Sequence, residues 1–422
     1  MPAQALHLSA EETAMLAGEQ GPAVALALEV IVRMAPVAGA ERLREITSAH
    51  IDGCLYHGQA GLDFAERLAS LGGQVRVPTT LNVSSLDLLH PHLYRGDRET
   101  ALAARRLMDA YTQMGCRPTW TCAPYQLSQR PAFGEQIAWA ESNAIVFANS
   151  VLGARTNRYG DFLDICAALT ARVPDAGLHQ DAHRYGQVLY DLRGLPEHVR
   201  RHELLPAVLG HYIGHTTGNH IPVIVGLPPD TSEDSLKLLG AAAASSGSVA
   251  LFHAVGVTPE APTVAAAFGG RPPLREEPVT LAALNAARAE LSTTSGGPLR
   301  TVSLGTPHAS LAEIGQLVPL VAGQTIHPEV DFYVSTGRDV LAQAAERGWV
   351  EICEQAGVRF VVDTCTYITP ILRHTTGVAM TNSPKWAYYA PGNLGVDVVF
   401  AGLAACVASA LRGEVQRDAD WA

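Results

Sequence analysis

Hydrophobic and polar positions along the chain repeat with two different periods. Apolar residues recur at helical spacing near 9–36, 61–71, 99–114, 198–209, 232–244, 280–292, 338–347 and 402–412, and these stretches predict helices. Short apolar runs near 220–227, 248–255, 300–305, 331–335 and 358–363 predict strands between them. Two more strands are expected at Thr119-Trp120-Thr121 and at Ala144 to Ala148, the latter apolar throughout as a strand covered on both faces would be. Ser9 and Glu12 stand at capping-box spacing, which marks a folded helix start and not a cleavable signal. The alternation implies an α/β fold of several domains, with mainly parallel sheets flanked by helices. One composition break, residues 271–278, is rich in proline and charge and predicts a linker. It divides the chain into an α/β region over 1–270, long enough for two subdomains, and a C-terminal α/β domain over 279–422.

Composition narrows the class. A chain of 422 residues that is 47% hydrophobic can bury more than one core. Thirty basic against forty-one acidic side chains give a net charge of -11 with no Lys/Arg cluster, which argues against nucleic acid or an anionic membrane surface as partner. The apolar stretch from Val398 to Leu411 is interrupted by Gly402 and Ser409 and is shorter than the ~18–20 residues of a membrane span, so a cytoplasmic protein is expected. Seven cysteines without a CxxC spacing favour reduced thiols over a disulfide framework. Cys166, Cys353 and Cys406 sit in apolar helical contexts and read as core residues. Cys122 and Cys365 each follow a strand-like run and precede a polar turn, a setting that suits a metal-ligating or catalytic thiol as well as a core one.

Candidate chemistry is densest between Arg117 and Asp161. Pro124 ends the run before Cys122, and the apolar stretch 144–148 is followed by Asn149, Ser150, Arg155, Asn157 and Arg158. Amides, a hydroxyl and two guanidiniums suit a small ligand that carries a carboxylate. Beyond residue 278 three further apolar runs end in polar turns: Thr306-Pro307-His308, Asp363 to Tyr367, and Asn382 to Lys385. Taken singly, His308 reads as an ordinary hydrogen-bonded histidine and Lys385 as a solvated cation. Their recurrence after strands argues for a site.

The stretches PTTLNV (78–83), PTWTCAPYQ (118–126), GEQIAWAESNAIVFANSVLGARTNR (134–158), GTPH (305–308), DTCTY (363–367) and NSPKWAYY (382–389) resemble the large subunit of aconitase X, over essentially the whole chain. That resemblance implies an iron–sulfur-dependent hydro-lyase with an aconitase-like architecture that lacks the swivelling domain. It implies a partner: a small swivelling-domain subunit carrying the serine base, so no residue of this chain is assigned as the catalytic base. The substrate implied is cis-3-hydroxy-L-proline, dehydrated through a Δ2 enamine to Δ1-pyrroline-2-carboxylate. Mevalonate 5-phosphate is the alternative, disfavoured because no Gly-rich loop or Lys/Arg group suited to phosphate is evident. Cys122 and Cys365 match the family's ligand positions, while Thr306 stands where archaeal relatives carry cysteine. The cofactor expected is therefore a 2Fe–2S cluster in preference to a 4Fe–4S one, with Cys166 either the third ligand or a core cysteine. Implied substrate contacts are Thr80, Asn82, Ser150, Arg155, Asn157, Arg158, His308, Ser383 and Lys385, although such residues also cap turns or bridge carboxylates. His50 and Asp52 form a weaker pair that organises the first domain. From other classes, an iron–sulfur redox protein, or a non-catalytic scaffold that has lost its cluster, uses the same residues.

Overall fold

The computed structural model describes residues 6–418, which fall into two compact units, one of residues 6–86 and 97–185 and one of residues 87–96 and 186–418. The first unit opens with the expected capping box. Ser9 N–H donates to Glu12 Oε2 at 2.8 Å and Glu12 N–H donates to Ser9 Oγ at 3.2 Å, satisfying two donors that a helix start leaves orphaned. The pattern over 9–36 forms two helices, Ala10–Leu16 and Pro22–Met34, separated by a turn in which Gly18 and Gly21 take φ of 86° and 102°. The second buries Val24, Ala27, Leu28 and Ile31, one helical face, and packs on helix Leu163–Thr170.

Three short parallel strands, Thr79–Leu81, Ala49–Ile51 and Ala138–Trp139 in that spatial order, carry the polar turns of this unit. Two expected strands are not formed. Residues 144–148 are helical: Ser142–Phe147 is an α-helix that Ala148–Leu152 extends as a π-helical turn. A continuous apolar run is ambiguous between a strand and a helix covered on all sides, and Asn143 to Ser150 are all buried. Thr119–Thr121 is irregular. Arg117 N–H donates to Thr79 O at 2.8 Å and Thr121 N–H to Leu81 O at 3.1 Å, but Trp120 between them has φ 45°, which breaks the ladder.

The second unit contains a five-stranded parallel sheet in the spatial order Val358–Val361, Asp331–Thr336, Leu299–Ala309, Val378–Thr381, Asp397–Phe400. In chain order this is 3-2-1-4-5, so connections leave Leu299–Ala309 in opposite directions. Doubly wound sheets open a crevice at the carboxyl end of such a strand. Val302, Phe332, Val334, Phe360 and Met380 of the sheet form one core with Ile314, Leu317, Cys353 and Cys406 of the covering helices, so Cys353 and Cys406 are core thiols as expected. A second parallel sheet orders His253–Ala254, Pro222–Val225, Val188–Asp191 and Arg275–Pro278. Its last strand lies inside the 271–278 segment expected to be a linker. As an edge strand it accommodates the proline and the charges that suggested a loop. Beside that sheet, helix Leu205–Thr217 approaches helix Glu233–Ser246 so closely that a Cβ at Gly210 would stand 2.2 Å from Leu239 O.

Candidate active site

Three of the turns singled out in the sequence meet at the carboxyl ends of the five-stranded sheet. His308 and Cys365, both fully buried, stand with a ring nitrogen and Sγ within 4.8 Å of each other. His308 Nε2 is 3.2 Å from Thr364 O, and Thr366 Oγ1 is 2.7 Å from Ser303 Oγ and accepts from Trp386 Nε1 at 2.9 Å. Asp363 enters this loop at φ 64°, a conformation costly for a residue with a Cβ. It is held by a two-bond ion pair with Arg338, 2.6 Å at each contact, and by Leu88 N–H at 3.1 Å. Ser383 caps helix Pro384–Leu394: its Oγ accepts from Trp386 N–H at 3.0 Å and donates to Thr306 O. Lys385 is buried in the first turn of that helix. Thr306 is buried as well, and its Oγ1 finds no partner among the described residues.

A cavity of about 270 Å³ lies against Thr306 and Ser383, and its other polar walls include Glu203, Asp234 and Glu313. Glu313 and Asp234 both pair with the buried Lys237. An acidic lining of this kind does not suit a substrate carboxylate.

In the first unit Cys122 is buried directly before the 3₁₀ turn Pro124–Gln126, and its carbonyl accepts from Asn143 Nδ2 at 2.7 Å. Glu141 orders this region. It caps helix Ser142–Phe147 by accepting from Ala144 N–H at 2.7 Å and also accepts from Asn143 Nδ2 at 3.0 Å. On the neighbouring strands, His50 Nδ1 lies 2.8 Å from Thr80 Oγ1. Burial lowers His50 to about 4, so the ring is neutral. Asn82 donates to Asp52 Oδ1, while Asn82 Oδ1, buried, meets no partner among the described residues. Ser150 is buried in the π-helical turn, a distortion frequent at functional sites.

Not every candidate is placed for a ligand. Arg155 donates to Asp181 at 2.9 Å and to Gly153 O at 2.6 Å and lies over the Phe133 ring. Asn157 donates to Ala176 O at 2.9 Å and accepts from Leu178 N–H at 2.8 Å, tying two loops. Arg158 is exposed. Cys166 lies inside helix Leu163–Thr170, which is buried from Asp164 onward, where burial first and the Asp164 carboxylate second push the thiol far up and oppose a thiolate.

Of the buried carboxylates here, sequence reasoning noted Asp52 only as a partner of His50 and passed over Glu141 and Asp164. Burial raises Asp52 to about 7, with Glu141 and Asp161 adding repulsion, and burial raises Asp164 to about 7 although it accepts from Asp52 N–H at 2.8 Å and Gly53 N–H at 3.0 Å. Such groups can hold a proton near neutrality. The only signal was their spacing from the motifs, because side chains from residues 52, 141 and 164 meet only in the fold.

A buried thiol and imidazole at the carboxyl end of a doubly wound sheet give an α/β protein a pair of side chains that could hold a metal ion, compatible with an iron–sulfur cluster. Models of the aconitase X first, second and third domains match residues 5–182, 186–289 and 299–412, and the chain belongs to the aconitase X family. It is 45% identical to a cis-3-hydroxy-L-proline dehydratase of Pseudomonas aeruginosa, over 98% of this chain and 72% of that protein. It is 35% identical to a phosphomevalonate dehydratase large subunit of Thermococcus kodakarensis, over 91% and 95% respectively. A crystal structure of Thermococcus kodakaraensis aconitase X in its holo-form superposes with a TM-score of 0.85 at 33% identity, covering 96% of this chain and all of that one. Among the described residues no helix is long and apolar enough to cross a membrane.

Proposed function

We propose that the protein is an iron–sulfur-dependent hydro-lyase that eliminates water from cis-3-hydroxy-L-proline. The observation that carries this reading is 45% identity, sustained over 98% of the chain, to a dehydratase of that substrate. The reaction breaks the C2–H and C3–O bonds and releases one water. The enamine formed then tautomerises to Δ1-pyrroline-2-carboxylate, and no electrons are gained or lost.

Cys122 and Cys365 hold the cluster, and His308 beside Cys365 is a better-favoured further donor than Cys166, whose surroundings oppose a thiolate. With Thr306 in the GTPH turn, a 2Fe–2S centre suits so small a thiolate set better than a 4Fe–4S one. When bound, such a cluster supplies a Lewis acid for the departing hydroxyl. Lys385 and Arg158 are the cations assigned to the substrate carboxylate, where they oppose the charge that builds as C2 loses its proton. Asn82 Oδ1, buried and unpartnered, accepts an N–H or O–H of the substrate, and Thr80, Ser150 and Ser383 are proposed as further substrate contacts. Arg155 and Asn157 act through the loops they fix. The base that takes the C2 proton is a serine on a small swivelling-domain partner, a reading supported by relatives named as large subunits.

The test is anaerobic co-expression of the full chain with a candidate small subunit, followed by iron and sulfide analysis and turnover of cis-3-hydroxy-L-proline against mevalonate 5-phosphate. Bound iron and sulfide with preferential dehydration of hydroxyproline is the expected result. Preference for the phosphate would reassign the substrate, a metal-free inactive complex would leave the scaffold reading, and a reversible one-electron signal that tracks function would favour a redox protein.

A further inference from the structure

Helix Leu205–Thr217 carries a second set of metal-ligating side chains, separate from the thiol turns. His211 and His215 are four residues apart and so share one face of the helix, their ring centroids 4.4 Å apart. Glu290, the last residue of helix Leu281–Glu290, points one oxygen at both rings: Oε2 is 3.3 Å from His211 Nε2 and 3.7 Å from His215 Nδ1. The ligand atoms of all three lie within 4.8 Å of one another. We propose that His211, His215 and Glu290 form a binding site for one divalent transition-metal ion of the zinc class.

The dimensions fit. Zinc-class ions bind imidazole nitrogen and carboxylate oxygen at about 2.0–2.2 Å in a tetrahedron, whose edges are then roughly 3.3–3.6 Å; the His211 contact of Glu290 falls in that range and the His215 contact, at 3.7 Å, lies just outside it. A hydrogen bond accounts for the His211–Glu290 contact alone. It leaves unexplained why a second imidazole turns toward the same oxygen. His211 is almost fully buried and its ring is flanked by Tyr388, so one ligand is fixed by packing, while His215 and Glu290 are exposed enough to admit the ion from solvent. Two nitrogens and one oxygen leave a fourth position for water, the ligand number of sites that keep an open coordination position. The soft thiols of the family site select differently from this nitrogen and oxygen set. Occupied, the site would pin the end of helix Leu281–Glu290, where the match to the second family domain ends at residue 289 and before that to the third begins at 299.

The test uses the full chain, free of any affinity tag and kept reduced, titrated with Zn²⁺ and separately with Co²⁺ by calorimetry with metal analysis. One equivalent is expected to bind at micromolar concentration or tighter and to raise the melting temperature. His215→Ala and Glu290→Gln, both at exposed positions, should each weaken that equivalent at least tenfold, and Cys365→Ser should leave it unchanged. Wild-type binding no tighter than millimolar, equal affinity in wild type and both variants, or loss of the equivalent in Cys365→Ser alone would each overturn the site.

Discussion

Cys365 and Cys166 are both buried thiols, and their neighbours separate them. Cys365 sits in a loop among threonine hydroxyls with an imidazole nitrogen within 4.8 Å, whereas Cys166 sits in the buried part of a helix next to Asp164. Cys365→Ser is therefore expected to abolish bound iron, and Cys166→Ser to leave iron per chain at the wild-type level. Metal analysis of the two proteins, purified in parallel, checks both. Iron lost from Cys166→Ser would restore it as the third ligand. Arg155 is similar in kind: a guanidinium that reads as a carboxylate clamp is committed to Gly153 O, Asp181 and the Phe133 ring. Arg155→Ala should lower stability by about 1–3 kcal/mol, the usual range for a buried hydrogen bond to a charged group, measured by urea unfolding. The residue types of the site were legible in the sequence as polar clusters after apolar runs. Which of them face a ligand and which hold a loop was not, because the two uses call for the same amides and guanidiniums.

At the scale of elements, strand Leu299–Ala309 loses its regular register with strand Asp331–Thr336 just after Leu304, at Gly305. It has φ 81°, and a Cβ there would stand 2.1 Å from Ser335 O on the adjacent strand. Gly305→Ala should cost about 2–4 kcal/mol through strain and collision, seen as a lower urea midpoint with an unchanged slope. A second element depends on Asp87. Its buried carboxylate accepts from Leu89 N–H at 2.9 Å, His90 N–H at 2.8 Å and Val362 N–H at 3.0 Å, fastening residues 87–96 to the strand end that leads into Asp363. Asp87→Ala leaves three donors, Val362 N–H fully buried among them, without this acceptor and should destabilise by roughly 2–4 kcal/mol, with amide exchange accelerating first in 87–96 and 362–371. Periodicity located most helices of the second unit and three of the five strands of its larger sheet, since alternation of 3.6-period and apolar runs is imposed by covering a parallel sheet on both faces. It failed at 144–148, where burial on all sides removes the period, and at 275–278, where an edge strand looks like a loop.

For the whole molecule, buried carboxylates set the response to pH. Asp52 and Asp164 titrate at about 7 when folded against an ordinary 3.8, so between those values the folded chain holds protons that the unfolded chain has released. Their contribution to stability is full below about pH 4 and is lost as pH rises through about 7. Asp175 and Asp331, lowered by their arginine partners, act in the opposite sense and weaken the fold as pH falls below their ordinary range. Asp52→Asn should flatten the decline in urea midpoint between about pH 5 and 8 and leave the acid limb in place. The sequence by itself determined the class of fold, the reduced thiols, the family and the turns that carry its chemistry, since these follow from local periodicity and from residue types in fixed spacing. Only the tertiary structure decided that His308 stands beside Cys365, that Cys166 faces a core, that carboxylates 52 and 164 keep protons near neutrality, and that two histidines share one oxygen of Glu290. Each of these depends on distance and burial between residues far apart in the chain, and neither quantity is carried by a local pattern.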